Sequence, residues 1–182
     1  AKKENIQGMW GISIDIASWY IGAFITQLGG DLISEDGRKG MFTKDQVGLK
    51  ALQFWRSLVD EGIYYVPGST SSNAREEFIV GNIGMYMTST GNMGTITKNA
   101  QFDVGVTYLP KNVRYAIQTG GGNVVIFNDA TKEETDAGWE FIKYLTSAEV
   151  NAEFSMVSGY CLTHKSAENL ESVQKFWKEN PT

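Results

Sequence analysis

Apolar and polar residues alternate with a period of two near the start of the chain. Within residues 6–16, Ile12, Ile14 and Ile16 alternate with Ser13 and Asp15. This period is typical of a β-strand with one buried face. Later runs rich in β-branched and aromatic residues predict further strands at 83–89 (IGMYMTS), 102–110 (FDVGVTYLP) and 123–127 (NVVIF).

The clearest helical pattern lies between Thr43 and Gly62. Thr43 followed by Gln46 predicts a capping box at its start, and Gly62 predicts a left-handed cap at its end. Five apolar residues recur at helical spacing and are expected to face the core: Val47, Ala51, Phe54, Trp55 and Leu58.

Four more helices are predicted from periodicity and capping residues. Thr131 and Glu134 form a second capping box before a helix that runs to about residue 145. A helix at 147–159 is expected to end at Gly159 and to bury Val150, Phe154 and Val157. The other two are predicted around 17–30 and 166–180, with shorter helical and hairpin-like pieces at 74–81 and around 36–37. Because strands alternate with helices, the fold class is α/β.

Composition and charge narrow the function classes. Of the 182 residues, 42% are hydrophobic and 20% are charged, which is enough for a sizeable core. The net charge of −5 argues against nucleic-acid binding, because that function needs a basic surface. A single cysteine, Cys161, excludes a disulfide within the chain.

Motifs for phosphate binding, catalysis and metal binding are weak. The GGGN stretch at 120–123 precedes a predicted strand and no Gly-Lys-Ser/Thr follows it, so it matches neither a P-loop nor a dinucleotide fingerprint. Cys161 and His164 could form a nucleophilic pair, but such partners are normally distant in sequence, and a metal would need further ligands. No cofactor or metal is predicted. A hydrolase using Cys161 and His164 stays open as an alternative, as does a protein-interaction module with exposed aromatic residues.

Three loops rich in glycine and hydroxyl groups follow predicted elements, at 88–92 (TSTGN), 119–123 (TGGGN) and 158–160 (SGY). In open α/β sheets, ligands bind outside the ends of the strands. Loops of this composition offer backbone N–H groups and hydroxyls, which suit a polyol or a phosphate, although ordinary turns have the same composition.

The order of these segments resembles a known family. An FxxGNIGM run, a Ser/Thr-Gly loop, FDVGVxxLP, a triple glycine before a strand, AGWEFIKYLTSAE and SGY follow one another along nearly all 182 residues. This arrangement resembles the family 1 extracellular solute-binding proteins of bacterial ABC importers, in particular the glycerol-3-phosphate and sugar binders.

The resemblance implies a type II periplasmic-binding-protein-like lobe, with a mixed sheet flanked by helices. Residues 1–182 are expected to form a single lobe, with the other lobe and the last C-terminal helices outside this sequence. The whole protein would not be an enzyme. It would hold a sugar, polyol or glycerol phosphate and deliver it to the membrane subunits of an ABC permease. It would lie outside the cytoplasm, in the periplasm or as a cell-surface lipoprotein.

The resemblance also assigns ligand contacts to four places in this sequence: Trp19; Ser89, Thr90 and Gly91; Gly121, Gly122 and Asn123; and Gly159 and Tyr160. The family often has Gly-Tyr-x-Pro at the last of these, where this chain has Leu162. Bare glycine backbone allows a hydroxylated ligand to reach peptide N–H groups, and Asn123 adds an amide. Trp19 and Tyr160 would add apolar ring faces.

Overall fold

The computed structural model of the protein describes residues 8–68 and 71–181. The chain divides into two compact units. The first runs to Thr88 and includes Asn99–Thr119, and the second consists of Ser89–Lys98 and the chain from Gly120 onward. In the described part of the chain, every helix is too short or too polar to span a lipid bilayer.

Two parallel strands form the sheet of the first unit. Strand β1, Trp10–Ile14, pairs with β2, Ile83–Met87, so that Ile14 lies opposite Met87. Tyr64 adds a parallel bridge to Ile12. The alternating pattern therefore predicted a strand where β1 forms, but not which residues it buries: Ser13 and Asp15 are buried and Ile16 is 61% exposed. The start of the predicted run, Ile6 and Gln7, lies outside the described residues.

Helices α1 (Ser18–Gln27), α2 (Val47–Asp60) and α3 (Ser71–Ile79) complete the first unit. Phe24 of α1 meets Phe54 and Trp55 of α2 edge to face, with ring centroids 5.3 and 5.7 Å apart. Phe54 is nevertheless 50% exposed, so its predicted burial was wrong. The core cluster consists of Ile14, Phe24, Ile25, Val47, Ala51 and Tyr64.

The predicted capping box at the start of α2 was wrong. Thr43 makes no side-chain capping bond, and a short 3₁₀ turn, Lys44–Gln46, precedes the helix. Gln46 has a left-handed φ of 58°. The chain turns back here so that the Gly48 N–H can donate to the Phe42 carbonyl at 2.8 Å, and a Cβ on Gly48 would lie 2.5 Å from that oxygen. The other end of the helix follows the prediction, with Gly62 at φ 68°.

The strands predicted at 102–110 and 123–127 are absent, although all of residues 102–127 are described. These runs remain extended and largely exposed, with Tyr108 at 93% and Phe127 at 77% exposure. A strand needs the backbone of a neighbouring strand to satisfy its donors and acceptors, and these runs pair with none. Both runs are rich in apolar residues, as strands often are, but an apolar composition does not supply a neighbouring strand.

The described part of the second unit contains four α-helices: α4 (Met93–Asn99, whose last residue belongs to the first unit), α5 (Lys132–Leu145), α6 (Ala148–Ser158) and α7 (Glu171–Glu179). The capping box of Thr131 and Glu134 begins α5 as predicted. Gly159 ends α6 with φ 82°, also as predicted.

The buried face of α6 differs from the predicted one. Ala152 is 1% exposed and packs in a small cluster with Ala167 and Val173. Phe154 and Val157, which were expected to face inward, are 58% and 76% exposed. The helix therefore packs through Ala152, with Met156 partly buried beside it, and leaves Phe154 and Val157 on the surface.

Candidate ligand-binding site

A buried carboxylate lies where the two strands of the first unit end. Asp15 directly follows β1 and is 7% exposed. Its oxygens accept hydrogen bonds from the hydroxyls of Tyr86 at 2.7 Å, Thr88 at 2.9 Å and Tyr20 at 3.2 Å. Because these donors come from β2, from the residue just after it and from α1, Asp15 fixes the first turn of α1 against the strand ends.

Sequence reasoning missed this cluster. Asp15 was interpreted only as a polar position of the alternating strand. The available signal was a carboxylate directly after a buried strand, at the edge of the sheet where ligands of α/β proteins gather.

The phenols around the strand ends stay protonated. Burial raises the pKa of Tyr86, and the Asp15 carboxylate raises it further by favouring the form that donates a proton. Burial also raises the pKa of Tyr64, whose hydroxyl donates to the Ile14 carbonyl at 2.6 Å. Both phenols therefore act as hydrogen-bond donors over the physiological pH range.

Trp19, the second residue of α1, is the predicted contact that belongs to the first unit. Its ring is 47% exposed, and its Nε1–H donates to the Gln118 carbonyl at 3.2 Å. An indole has a single N–H and no acceptor. The surface that Trp19 offers is therefore the apolar face of its ring.

The second unit brings two of the predicted segments into contact. Ser89 Oγ accepts from the Gly91 N–H at 3.2 Å and caps the 3₁₀ turn Thr90–Asn92. A Cβ added to Gly91 would lie 2.5 Å from Cζ of Tyr160. A Cβ on Gly159 would lie 2.7 Å from the Thr90 carbonyl oxygen. The Ser89–Gly91 turn and the Gly159–Tyr160 pair thus pack directly on each other.

Tyr160 is held by several neighbours and is still 46% exposed. Its ring stacks on Phe154 with centroids 5.9 Å apart and an interplanar angle of 3°. Its N–H donates to Ser158 Oγ at 3.2 Å, and its carbonyl accepts from Ser155 Oγ. These contacts fix an aromatic ring at the surface beside the bare backbone of Gly91.

The third predicted segment, residues 121–123, is exposed on the second unit. Gly121, Gly122 and Asn123 are exposed, and a Cβ on either glycine would meet nothing within 4 Å. Neither glycine has the positive φ that would require glycine for conformational reasons. Neither packing nor backbone angle therefore requires glycine at 121 and 122.

The residues of the hydrolase alternative show ordinary surface contacts. Cys161 is a free, exposed cysteine, and His164 Nδ1 lies 2.9 Å from Ser166 Oγ. Asn151 organises this loop by accepting from the backbone N–H groups of Thr163 and His164 at 2.9 and 3.0 Å. Across residues 8–68 and 71–181, no group of three or more side chains suited to holding a metal ion occurs.

The sequence matches one family model and several characterised relatives. The family model described as bacterial extracellular solute-binding protein matches residues 1–182. The sn-glycerol-3-phosphate-binding periplasmic protein UgpB of Rhizobium meliloti (strain 1021) is 26% identical over 155 residues, covering 81% of this chain and 36% of the relative. UgpB of Yersinia pestis bv. Antiqua (strain Antiqua) is 28% identical over 110 residues, covering 58% of this chain and 25% of the relative.

Solved structures agree. UgpB from Mycobacterium tuberculosis in complex with glycerophosphocholine has a TM-score of 0.81 and 25% identity, covering 96% of this chain and 44% of that one. Maltose-bound MalE3 from T. maritima has a TM-score of 0.74 and 19% identity, covering 96% and 47%, which is evidence for the fold alone. The chain thus spans less than half of these relatives.

The predicted α/β class of type II periplasmic-binding-protein-like lobes is confirmed by these neighbours. The predicted resemblance is confirmed by a family model that covers every residue. The chain belongs to the bacterial extracellular solute-binding protein family.

Proposed function

We propose that this chain is a ligand-binding lobe of the substrate-binding component of an ABC import system, and that this component captures a sugar, polyol or glycerol phosphate. The observation that carries the proposal is the packing of the Ser89–Gly91 turn on Gly159–Tyr160, which fixes a half-exposed aromatic ring beside the exposed residues Ser89 and Thr90. Family membership and the named ligands of the relatives support the same class of solute.

The chemistry of these groups suits a hydroxyl-rich ligand. Exposed peptide N–H groups and Ser or Thr hydroxyls pair with ligand oxygens, and each net hydrogen bond contributes about 1 kcal/mol. Aromatic rings such as those of Tyr160 and Trp19 pack on the C–H faces of sugars and polyols. The open backbone of Gly121 and Gly122, with the amide of Asn123, adds donors at the surface.

The proposal includes a location and partners. The receptor would act outside the cytoplasm, in the periplasm or as a cell-surface lipoprotein, and would deliver its ligand to ABC permease subunits in the membrane. Residues 1–182 would be one lobe, and the second lobe would come from the same polypeptide. A protein of this kind binds its ligand without chemical change, so no catalytic residue is proposed.

A thermal-shift screen of the full-length receptor tests the proposal, because a ligand that binds only the folded state raises Tm. The screen compares sugars, polyols, glycerol 3-phosphate and glycerophosphocholine with amino acids and short peptides. We expect a shift with a member of the first group, followed by a measured Kd. We expect Tyr160→Ala to weaken that binding about tenfold or more, because the half-exposed ring that would pack on the ligand is lost. Shifts confined to amino acids or peptides would refute the proposed ligand class.

Cys161→Ser separates this proposal from the hydrolase alternative. The exposed thiol has no role in a receptor, so we expect the same Kd in the variant and the wild type. Turnover of a ligand by the wild type that Cys161→Ser abolishes would favour the enzyme instead.

A further inference from the structure

The segment 113–118, which belongs to neither a helix nor a strand, is joined to α1 by hydrogen bonds. The N–H groups of Val113 and Arg114 donate to the Gln27 carbonyl at 3.0 and 3.2 Å, and Gln27 Nε2 donates to the Ala116 carbonyl at 3.0 Å. The Arg114 guanidinium donates to the Thr26 and Gly30 carbonyls at 2.7 and 2.8 Å. The segment is therefore fixed to the C-terminal end of α1 rather than to another strand.

Gln118 ends this segment and makes three contacts with α1. Its Nε2 donates to Thr26 Oγ1 at 3.1 Å. A Cβ added to Gly22 would lie 3.3 Å from Gln118 Cγ. The Gln118 side chain therefore packs against the helix backbone at Gly22. Its carbonyl accepts the indole N–H of Trp19 at 3.2 Å. One residue thus connects the middle of α1 with the exposed ring near its start.

The bond between Gln118 and Thr26 requires a donor at position 118. Thr26 Oγ1 already donates its one proton to the Gly22 carbonyl at 2.8 Å. The hydroxyl oxygen is therefore left as an acceptor, and the Gln118 amide supplies the proton. A carboxylate or a thioether of similar size at position 118 cannot do so.

We propose that Gln118 is a positioning residue that fixes the orientation of the Trp19 ring. The side chain of Gln118 holds its own carbonyl in place, and the carbonyl holds the indole N–H. The ring is left with a preset, half-exposed face and no free polar hydrogen, which suits the C–H face of a sugar or polyol. The proposed effect on ligand affinity rests on the function proposed above, whereas the effect on the ring does not.

The first test needs no ligand. The full-length receptor is labelled with 5-fluorotryptophan, and the ¹⁹F resonance of Trp19 is assigned by its loss in Trp19→Phe. Gln118→Met keeps packing on Gly22 and loses the amide donor, whereas Gln118→Ala loses both. We expect each to shift or broaden the Trp19 resonance and to leave the others in place. The exposed Gln53 of α2 is the matched control, and Gln53→Ala should change nothing. An unchanged Trp19 resonance in both Gln118 variants would overturn the proposal.

The second test asks whether Gln118 acts through Trp19. Kd values for maltose and glycerol 3-phosphate are measured in a double-mutant cycle of Gln118→Ala and Trp19→Phe. We expect Gln118→Ala to weaken binding about fivefold with Trp19 present and less than about twofold in the Trp19→Phe background. Equal losses in both backgrounds would refute a role through Trp19. If neither probe binds any variant, maltose and glycerol 3-phosphate are excluded as ligands, and the fluorine spectra still decide the role of Gln118.

Discussion

Glycine serves two purposes in the second unit, and they have opposite structural environments. Gly91 and Gly159 leave room for close packing, because a Cβ on either would collide with Tyr160 or with the turn before Met93. Gly121 and Gly122 pack against nothing within 4 Å of a Cβ. The first pair allows the Ser89–Gly91 turn to pack on Tyr160, and the second pair leaves peptide groups exposed, which in our proposal serve the ligand.

Gly122→Ala tests whether the open backbone receives ligand. Neither it nor Gly105→Ala introduces a clash, and neither position has a positive φ, so we expect the free energy of unfolding to change by less than about 0.5 kcal/mol in each. A methyl group at 122 would keep a ligand from the peptide N–H groups and weaken binding about fivefold to tenfold. Gly105→Ala should keep the wild-type Kd. Titration calorimetry on the full-length receptor measures the Kd of each variant. Equal Kd values would show that the triple glycine does not contact the ligand.

Gly159→Ala tests the packing role. The left-handed φ of 82° costs about 1–2 kcal/mol for a residue with a Cβ. Contacts at 2.7 Å to the Thr90 oxygen and 2.9 Å to Met93 Cβ add about 1–3 kcal/mol of overpacking. Gly81→Ala is the control, because Gly81 has a φ of 85° and nothing within 4 Å of its Cβ, so only the first cost applies. Urea unfolding compares the two variants. Similar losses of stability would show that the Thr90 turn moves aside for the added methyl group at little cost.

Helix ends and strands differ in how far the sequence predicted them. The capping box at Thr131 and the glycine end at Gly159 are local, so neighbouring residues were enough to predict them. The start of α2 was predicted wrongly because Asp45 and Gln46 adopt positive φ angles and bring the Gly48 N–H to the Phe42 carbonyl, a turn that the Thr43–Gln46 spacing does not indicate. The strand at 102–110 was predicted from composition, but pairing with another strand decides whether it forms.

Thr131→Ala measures how much the correctly predicted cap stabilises the folded protein. Its hydroxyl accepts from the Glu134 N–H, and the Glu134 carboxylate accepts from the Thr131 N–H at 2.8 Å. We expect the variant to lose about 1 kcal/mol of stability by thermal or urea unfolding. Thr43→Ala, which makes no capping bond, should lose at most a few tenths. A larger loss at Thr43 than at Thr131 would contradict the assignment of these helix starts.

The same cap has a defined pH dependence. The hydrogen bonds from Thr131, first its backbone N–H and then its hydroxyl, hold the pKa of Glu134 below its ordinary value of 4.5. The ionised carboxylate therefore stabilises the folded state fully above pH 4.5, and the contribution is lost as pH falls through the lowered pKa. The stability difference between wild type and Thr131→Ala should shrink in acid.

Across the whole chain, the order of segments identified the family, and individual residues of the site were harder to predict. The contact between Gly91 and Tyr160 agrees with the loops chosen from the sequence. The Asp15 cluster was missed because its donors Tyr86 and Thr88 lie 71 and 73 residues away along the chain. Such groups become neighbours only when β1 and β2 pair, and no local pattern reports that pairing.

The isolated chain should bind ligand poorly. It covers 44% of M. tuberculosis UgpB, and in our proposal a second lobe supplies the remaining contacts. A micromolar complex needs about 8 kcal/mol of binding free energy, so half of the contacts corresponds to about 4 kcal/mol, which is a millimolar Kd. Calorimetry on residues 1–182 and on the full-length receptor, with the same ligand, compares the two directly. Micromolar binding by residues 1–182 alone would mean that this chain carries the complete site and that no second lobe is needed to hold the ligand.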